Sequence, residues 1–337
     1  MIKKLRILLL LSLLTANPLF TKELPDLFEV MISDDQYTNT NDGLNKAFNR
    51  LIFKLSGSRE RKNLWKLGNI NKIDFVSSYS MENIDDQDYL SVKFNIDSFV
   101  SLLRANRIPL IGFNRPVILL LLKIDSGESS PSYISANSSD HFFGSMLSDI
   151  LQDIADERGV YIELPTFDLE DQNLLGQTDV LFSPQQHVKN KFYNDFFLSV
   201  EIMRVGVNQW AINGDIKSSS TLRQKEVLDY LAQETHAFLD QLLFVEPLKE
   251  GMAGDKIVIS VKGLETYEDF ELMNSELNKV FAIKSKDFNF FDRSYIDYNV
   301  QLFQTTDSLL KELKGSTRFL IKSFDKNLSK LELEYLN

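Results

Sequence analysis

Between Asp88 and Asp125 the chain changes its hydrophobic rhythm. Leu90, Val92, Phe94 and Ile96 alternate with polar residues, which sets one face of a strand against a core because strand side chains point to opposite faces with period two. Val117 to Leu122 is an unbroken apolar run, the pattern of a strand covered on both faces. Phe99, Leu102 and Leu103 mark a short helix between them, ahead of Ile108 and Pro109. The stretch reads as strand, helix, turn and buried strand, a junction between modules.

Upstream, Leu27 to Ile32 is a short strand, and the Asn- and Asp-rich Thr38 to Gly43 can cap a helix. Leu44, Phe48, Leu51, Ile52 and Leu55 recur at helical spacing, and Gly57 stands where a left-handed residue ends a helix. After a basic connection, Phe75 to Met81 and Tyr89 to Ile96 read as strands joined by the acidic turn Ile84 to Asp88. Strand, helix, two strands, helix and strand is the order of a split βαβ, or ferredoxin-like, module. Val117 to Ile124 either closes it or opens the next module; its approach through Asn114-Arg115-Pro116 favours the second reading. Pro116 restrains the backbone there, and Arg115 is expected to pair with a carboxylate across the junction.

The Ser-rich Ser126 to Asp140 is a surface loop, either linker or functional loop. Phe142, Phe143, Met146, Leu147, Ile150, Leu151 and Ile154 form a helical stripe, capped by Ser138 to Asp140 and stopped by Gly159. A strand Val160 to Leu164, the acidic turn Thr166 to Asp171 and a helix Pro184 to Lys191 follow. Strands Phe196 to Arg204 and Gln209 to Lys217 flank a turn at Gly206 to Asn208, with Trp210 and Ile212 facing inward. A long helix Leu222 to Phe244 completes the region, and Pro247, Gly251 and Gly254 mark a boundary.

The last third repeats the split βαβ order. Ile257, Ile259 and Val261 alternate, Tyr267, Phe270 and Leu277 lie on a helix, and Ala282 to Phe290 is extended. Ile296, Tyr298, Val300 and Leu302 alternate in a strand; Leu309, Leu310 and Leu313 form a helix capped by Thr305 and ended by Gly315. Arg318 to Phe324 returns as a strand, and Leu331, Leu333 and Tyr335 add an edge strand. The expected fold is α+β: two ferredoxin-like modules, 23–113 and 255–337, flanking a central α/β domain, 114–248.

Length and composition agree with several cores, since 337 residues with 43% hydrophobic content suit two or three domains. Lys3, Lys4 and Arg6 before the apolar Ile7 to Leu14 have the form of a signal peptide, 1–22, which directs the chain to the periplasm. Small residues at Ala16 and Thr21 leave both cleavage and retention as an anchor open. After this leader no window has the length of a transmembrane segment. Zero cysteines exclude disulfides, a thiol nucleophile, thiolate metal ligands and a lipid-modified cysteine. A net charge of −11 argues against nucleic acid, which is bound by neutralising phosphates.

Candidate chemistry is sparse. His141, His187 and His236 have no second histidine at metal-ligand spacing, and no nucleophile elbow, Walker loop or dinucleotide fingerprint occurs. No catalytic residue, cofactor or metal ligand is assigned. Phe167-Asp168-Leu169-Glu170-Asp171 follows a strand end, where carboxylates can hold a hard cation or act as acid and base, although Asp also favours turns for local reasons. A basic group, Arg50, Lys54, Arg59, Arg61, Lys62 and Lys66, can meet an anionic polymer, a lipid head group or an acidic partner surface, or remain a solvated helix end. The candidate binding residues are Arg59, Arg61, Lys62, Arg115, Asp168 and Asp171.

Leu55-Ser56-Gly57, Val92-Lys93-Phe94-Asn95, Ile108-Pro109-Leu110 and Asn114-Arg115-Pro116, in that order, resemble the DUF2066 family, uncharacterised exported proteins of Gram-negative bacteria. The likeness continues through Ala155, Arg158-Gly159, Leu164-Pro165, Asp168 to Asp171 and Trp210, covering about Phe28 to Phe244. The chain departs from the family pattern at Ile111, where the family often has Trp, and in lacking a second Trp soon after Trp210. The resemblance implies export and this architecture, and supplies no catalytic residue. The middle region also looks like the α/β domain at the start of the periplasmic TolB protein, which implies a non-catalytic domain that engages envelope components. The expected function is a non-enzymatic periplasmic binding or scaffold protein for envelope proteins or cell-wall components. The alternative is a metal-dependent or acid/base hydrolase using Asp168, Glu170 and Asp171.

Overall fold

The computed structural model describes residues 22–84, 86–128, 130–136, 144–175, 183–247, 253–292, 295–314 and 316–336. Residues 1–21 of the leader, the Ser138 to Asp140 cap, His141, Phe142, Phe143, Gly251 and Gly315 lie outside the described residues. The rest is mixed α+β, with nine helices and fifteen strands in four sheets among the described residues.

The N-terminal part contains β1 (Lys22–Glu23), β2 (Glu29–Ser33), α1 (Thr40–Ser56), α2 (Lys62–Lys66), β3 (Val76–Ile84), β4 (Gln87–Phe94), α3 (Ile96–Ala105) and β5 (Asn114–Arg115). β2, β4 and β3 form an antiparallel sheet in that order. The Asn39 side chain accepts from the Asp42 N–H and starts α1, and Gly57, at φ 66°, ends it. Leu44, Phe48, Leu51, Ile52 and Leu55 of α1 are buried against Val30, Ile32, Leu90, Val92, Phe94 and Phe99. The basic connection contains α2, and β1 pairs with β5; neither was legible as periodicity.

β6 (Val117–Asp125) belongs to the second sheet, which decides the alternative left open by the sequence. β9 (Phe196–Gly206) runs parallel along one side of it; β8 (Tyr161–Glu163), parallel, and β7 (Ser132–Tyr133), antiparallel, share the other. β10 (Gln209–Gly214) extends the sheet beyond β9. Ile118, Leu120, Leu122 and Ile124 pack in a cluster with side chains of α4 (Gly144–Arg158) and α7 (Gln224–Leu242). Leu119 and Leu121 point the other way, towards Phe167 and Val188. Both faces of β6 are covered, so its apolar pattern does not alternate. α5 (Leu169–Leu175) and α6 (Pro184–Lys191) lie between β8 and β9.

The third sheet contains β11 (Lys256–Lys262), β12 (Ile283–Asp292), β13 (Tyr295–Leu302), β14 (Phe319–Asp325) and β15 (Lys330–Tyr335), with helices α8 (Tyr267–Asn278) and α9 (Thr306–Lys314). Its order is β12-β13-β11-β15-β14. This corrects the expectation that Leu331 to Tyr335 adds an edge: β15 is interior, parallel to β11 and antiparallel to β14. Leu331 and Leu333 lie beside Ile259 and Val261 and are fully buried. The alternation of β15 reported one buried face and was silent on its neighbours.

Gly57 and Gly68 both have left-handed backbones, at φ 66° and 62°. A Cβ at Gly57 would collide with Ile111 Cδ1 and lie 2.5 Å from the Leu243 carbonyl oxygen, whereas one at Gly68 meets nothing within 4 Å among the described residues. Gly68→Ala is expected to cost about 1 kcal/mol through backbone conformation alone. Gly57→Ala adds overpacking and is expected to cost about 3 kcal/mol. Urea unfolding of the two variants checks this, and equal costs would contradict the close packing at Gly57.

Candidate functional site

The acidic stretch is a helix N-terminus. Asp168 Oδ1 accepts from the Asp171 N–H at 2.8 Å and Asp171 Oδ2 accepts from the Asp168 N–H at 3.1 Å, a reciprocal cap on α5. α6 carries His187 and Lys191 four residues apart, on one face. Lys191 Nζ donates to Asp171 at 2.7 Å and to Asp168 at 2.8 Å, and His187 Nε2 lies 2.8 Å from Asp171 Oδ1. Burial pushes the Asp171 carboxyl up, but Lys191, His187 and the Asp168 N–H outweigh it and hold the group at about 2. Asp168 is lowered mainly by Lys191, and Lys191 is raised by both aspartates. Glu170 is exposed and takes no part in this network.

With its oxygens facing three donors, Asp171 serves to join α5 to α6. Among the described residues no group of three or more His, Cys, Asp and Glu is arranged to hold a metal ion. Sequence reasoning missed His187 and Lys191 because they lie 16 and 20 residues from Asp171. The i, i+4 spacing of a histidine and a lysine opposite an i, i+3 pair of aspartates is the signal that points to the contact.

The basic group does not form one patch. Arg50 Nη1 donates to the Met31 carbonyl at 2.8 Å, and Lys54 Nζ donates to that of Glu29 at 3.2 Å. Lys54 is buried, and burial together with Arg115 lowers it to about 8. Arg59 reaches Glu157 of the central module at 3.4 Å, while Lys62 pairs with Glu60. Arg61, Lys62 and Lys66 stay exposed.

Arg115 is fully buried, yet it forms no ion pair within 4 Å among the described residues, which corrects the expected carboxylate partner. Its Nη1 donates to the Lys54 carbonyl and its Nη2 to that of Ile111, each at 3.1 Å. Arg158, also fully buried, donates to the Gly57 carbonyl at 2.8 Å and to Asp240 at 2.6 Å. Both guanidiniums therefore serve the carbonyl end of α1, where positive charge is favourable. Burial pushes Arg115 down to about 9, and the carboxylate of Glu312, on α9, opposes that shift. Glu312 accepts from the Phe281 and Ala282 N–H groups at 2.8 and 3.0 Å. Burial pushes it up to about 7 against those bonds and against Arg115 and Arg104.

Apolar surface is concentrated elsewhere. β12 is the terminal strand of its sheet, and Phe288, Phe290 and Phe291 on it are 62%, 49% and 61% exposed. Tyr79 and Met81 are exposed on β3, the terminal strand of the N-terminal sheet.

Fold and site together define an α+β protein with four hydrophobic clusters among the described residues, whose buried ionic groups join its parts. The model of a family described as "Domain of unknown function (DUF8605)" matches residues 23–112, the stretch from β1 to the loop before β5. No curated protein matches the chain. No helix among the described residues is long and apolar enough to cross a membrane.

The Asp171 network gives a pH dependence of defined sign. A carboxyl at about 2 in the folded chain, against an ordinary 3.8, stabilises the fold at pH above its unfolded value and loses that contribution as pH falls towards 2. Urea midpoints measured from pH 6 down to pH 2 should drop more steeply for the wild type than for Asp171→Asn, which has no carboxyl to titrate. Parallel curves would show that the network contributes nothing.

Proposed function

We propose that this chain is a non-enzymatic periplasmic protein that binds an extended segment of another envelope protein along the open edge of its C-terminal sheet. The observation that carries this reading is β12: a terminal strand on which Phe288, Phe290 and Phe291 stand exposed. Such a strand offers unpaired backbone donors and acceptors to an added strand, and aromatic side chains dominate binding energy where they are buried by a partner. The candidate acids and buried arginines are, by contrast, engaged in caps, ion pairs and carbonyl contacts. Export is supported by Lys3, Lys4 and Arg6 ahead of the apolar Ile7 to Leu14.

We read the two outer modules as ferredoxin-like variants. The N-terminal sheet has the order β2-β4-β3 of a split βαβ without its last strand, and the C-terminal sheet has β15 inserted between β11 and β14. The relationship with DUF2066 belongs to the same proposal, supported by the Asn114-Arg115-Pro116 crossing into β6. A hydrolase built on Asp168, Glu170 and Asp171 has less support, because Lys191 bridges both aspartates.

Photo-crosslinking in intact cells tests the reading, with p-benzoylphenylalanine replacing Phe291 and, as control, Leu328, which is 70% exposed in the turn between β14 and β15. Capture of one reproducible protein from position 291 and not from 328 is expected, and Phe288→Ser with Phe290→Ser should weaken that capture about tenfold or more. Capture of nothing, or equal capture from both positions, would contradict it. Asp168→Asn with Asp171→Asn should leave capture intact in a folded protein; its loss would favour the acidic cluster.

A further inference from the structure

Three cations line a pocket of about 290 Å³ between the N-terminal and C-terminal modules: Arg104 and Arg107 from the end of α3 and the turn after it, and Lys284 from β12. Among the described residues lining it, none is an aspartate or a glutamate. In a chain of net charge −11 this is a local reversal of sign. Like charges gathered at a partly enclosed site repel one another and focus a positive potential on it.

Each cation is placed there by a separate structural feature. The Arg104 guanidinium stacks 3.9 Å above the Phe303 ring and donates from Nη2 to the Phe281 carbonyl, leaving its buried Nε–H without a partner among the described residues. Lys284 Nζ lies 5.9 Å from the centroid of the same ring, so two cations share one aromatic ring. The ladder between β12 and β13 is irregular between Ile283 and Ser285, at Lys284 itself, and such bulges re-aim a side chain. Arg107 has a left-handed backbone, φ 53°, just past the end of α3, at a position where glycine would be free of strain. Glu312, the carboxylate that acts on Arg104, is engaged with the Phe281 and Ala282 N–H groups and does not line the pocket.

We propose that this pocket binds a small phosphate-type oxyanion, either free or as the terminal phosphate of a larger molecule, with Arg104, Arg107 and Lys284 as its contacts. A doubly charged group with three acceptor oxygens matches three separate cations, and arginine forks suit phosphate geometry. The volume lies at the small end of ligand pockets, which suits a single anionic group. The inference stands independently of the edge-strand reading.

The test is titration calorimetry on the full chain at low ionic strength. One arm uses inorganic phosphate; the other uses phosphatidic acid vesicles against phosphatidylcholine vesicles. Arg107→Gly and Lys284→Gln are made in parallel. Arg107→Gly relieves the left-handed strain, so it should melt no lower than the wild type while binding phosphate about tenfold more weakly. Lys284→Gln should show a similar loss. Phosphate binding that both variants weaken supports the site with a soluble ligand; binding confined to phosphatidic acid and weakened by both supports it with a lipid headgroup. No binding in either arm, or binding that either variant leaves unchanged, overturns it.

Discussion

The carbonyl end of α1 governs how the chain is assembled. The last carbonyls of a helix have no partner within it and carry its negative pole. Here Gly57 turns the chain left-handed, the Ile111 N–H takes the Leu55 carbonyl, Arg115 takes that of Lys54 and Arg158 that of Gly57. The main helix of the first module is thus completed by the junction and by the last helical turn before Gly159. A Cβ at Gly159 would lie 2.7 Å from Cγ of Lys54, so the approach of α4 to α1 depends on the missing side chain. Withdrawing either guanidinium would leave buried carbonyls unsatisfied on one side and a gap on the other.

A similar arrangement joins the third module. Arg104 donates to the Phe281 carbonyl, Gln304 to that of Leu110, and Asn114 to that of Glu312. These contacts span the N-terminal and C-terminal parts of the chain, and the half-buried carboxylate of Glu312 sits among them, accepting from backbone N–H groups. Polar side chains that in isolation suggest chemistry are therefore occupied in assembly, which directs functional interest to the sheet edges and to the cationic pocket.

What the sequence disclosed was local. Gly57 and Gly159 announce their left-handed turns, Asn39 its cap, and the unbroken Val117 to Leu122 run its two covered faces, because each depends on neighbours along the chain. What it concealed was pairing between distant segments. β15 alternates as any half-buried strand does, so its interior position is absent from its own pattern. Lys54 stands among basic residues on paper and is buried in the fold, and Arg115 finds carbonyls where a carboxylate was expected. Phe288 and Phe290 fall in a segment that reads only as extended; the strand order places them, with Phe291, exposed on a terminal strand of the described sheet.

The central claim is that Arg115 and Arg158 make the N-terminal and central modules one cooperative unit. Differential scanning calorimetry of the wild type and of the double variant Arg115→Met, Arg158→Met tests it directly. The account predicts that the two modules melt together in the wild type and that the double variant resolves them into separate transitions, the N-terminal one at lower temperature. Separate transitions in the wild type, or an unchanged single transition in the double variant, would contradict it.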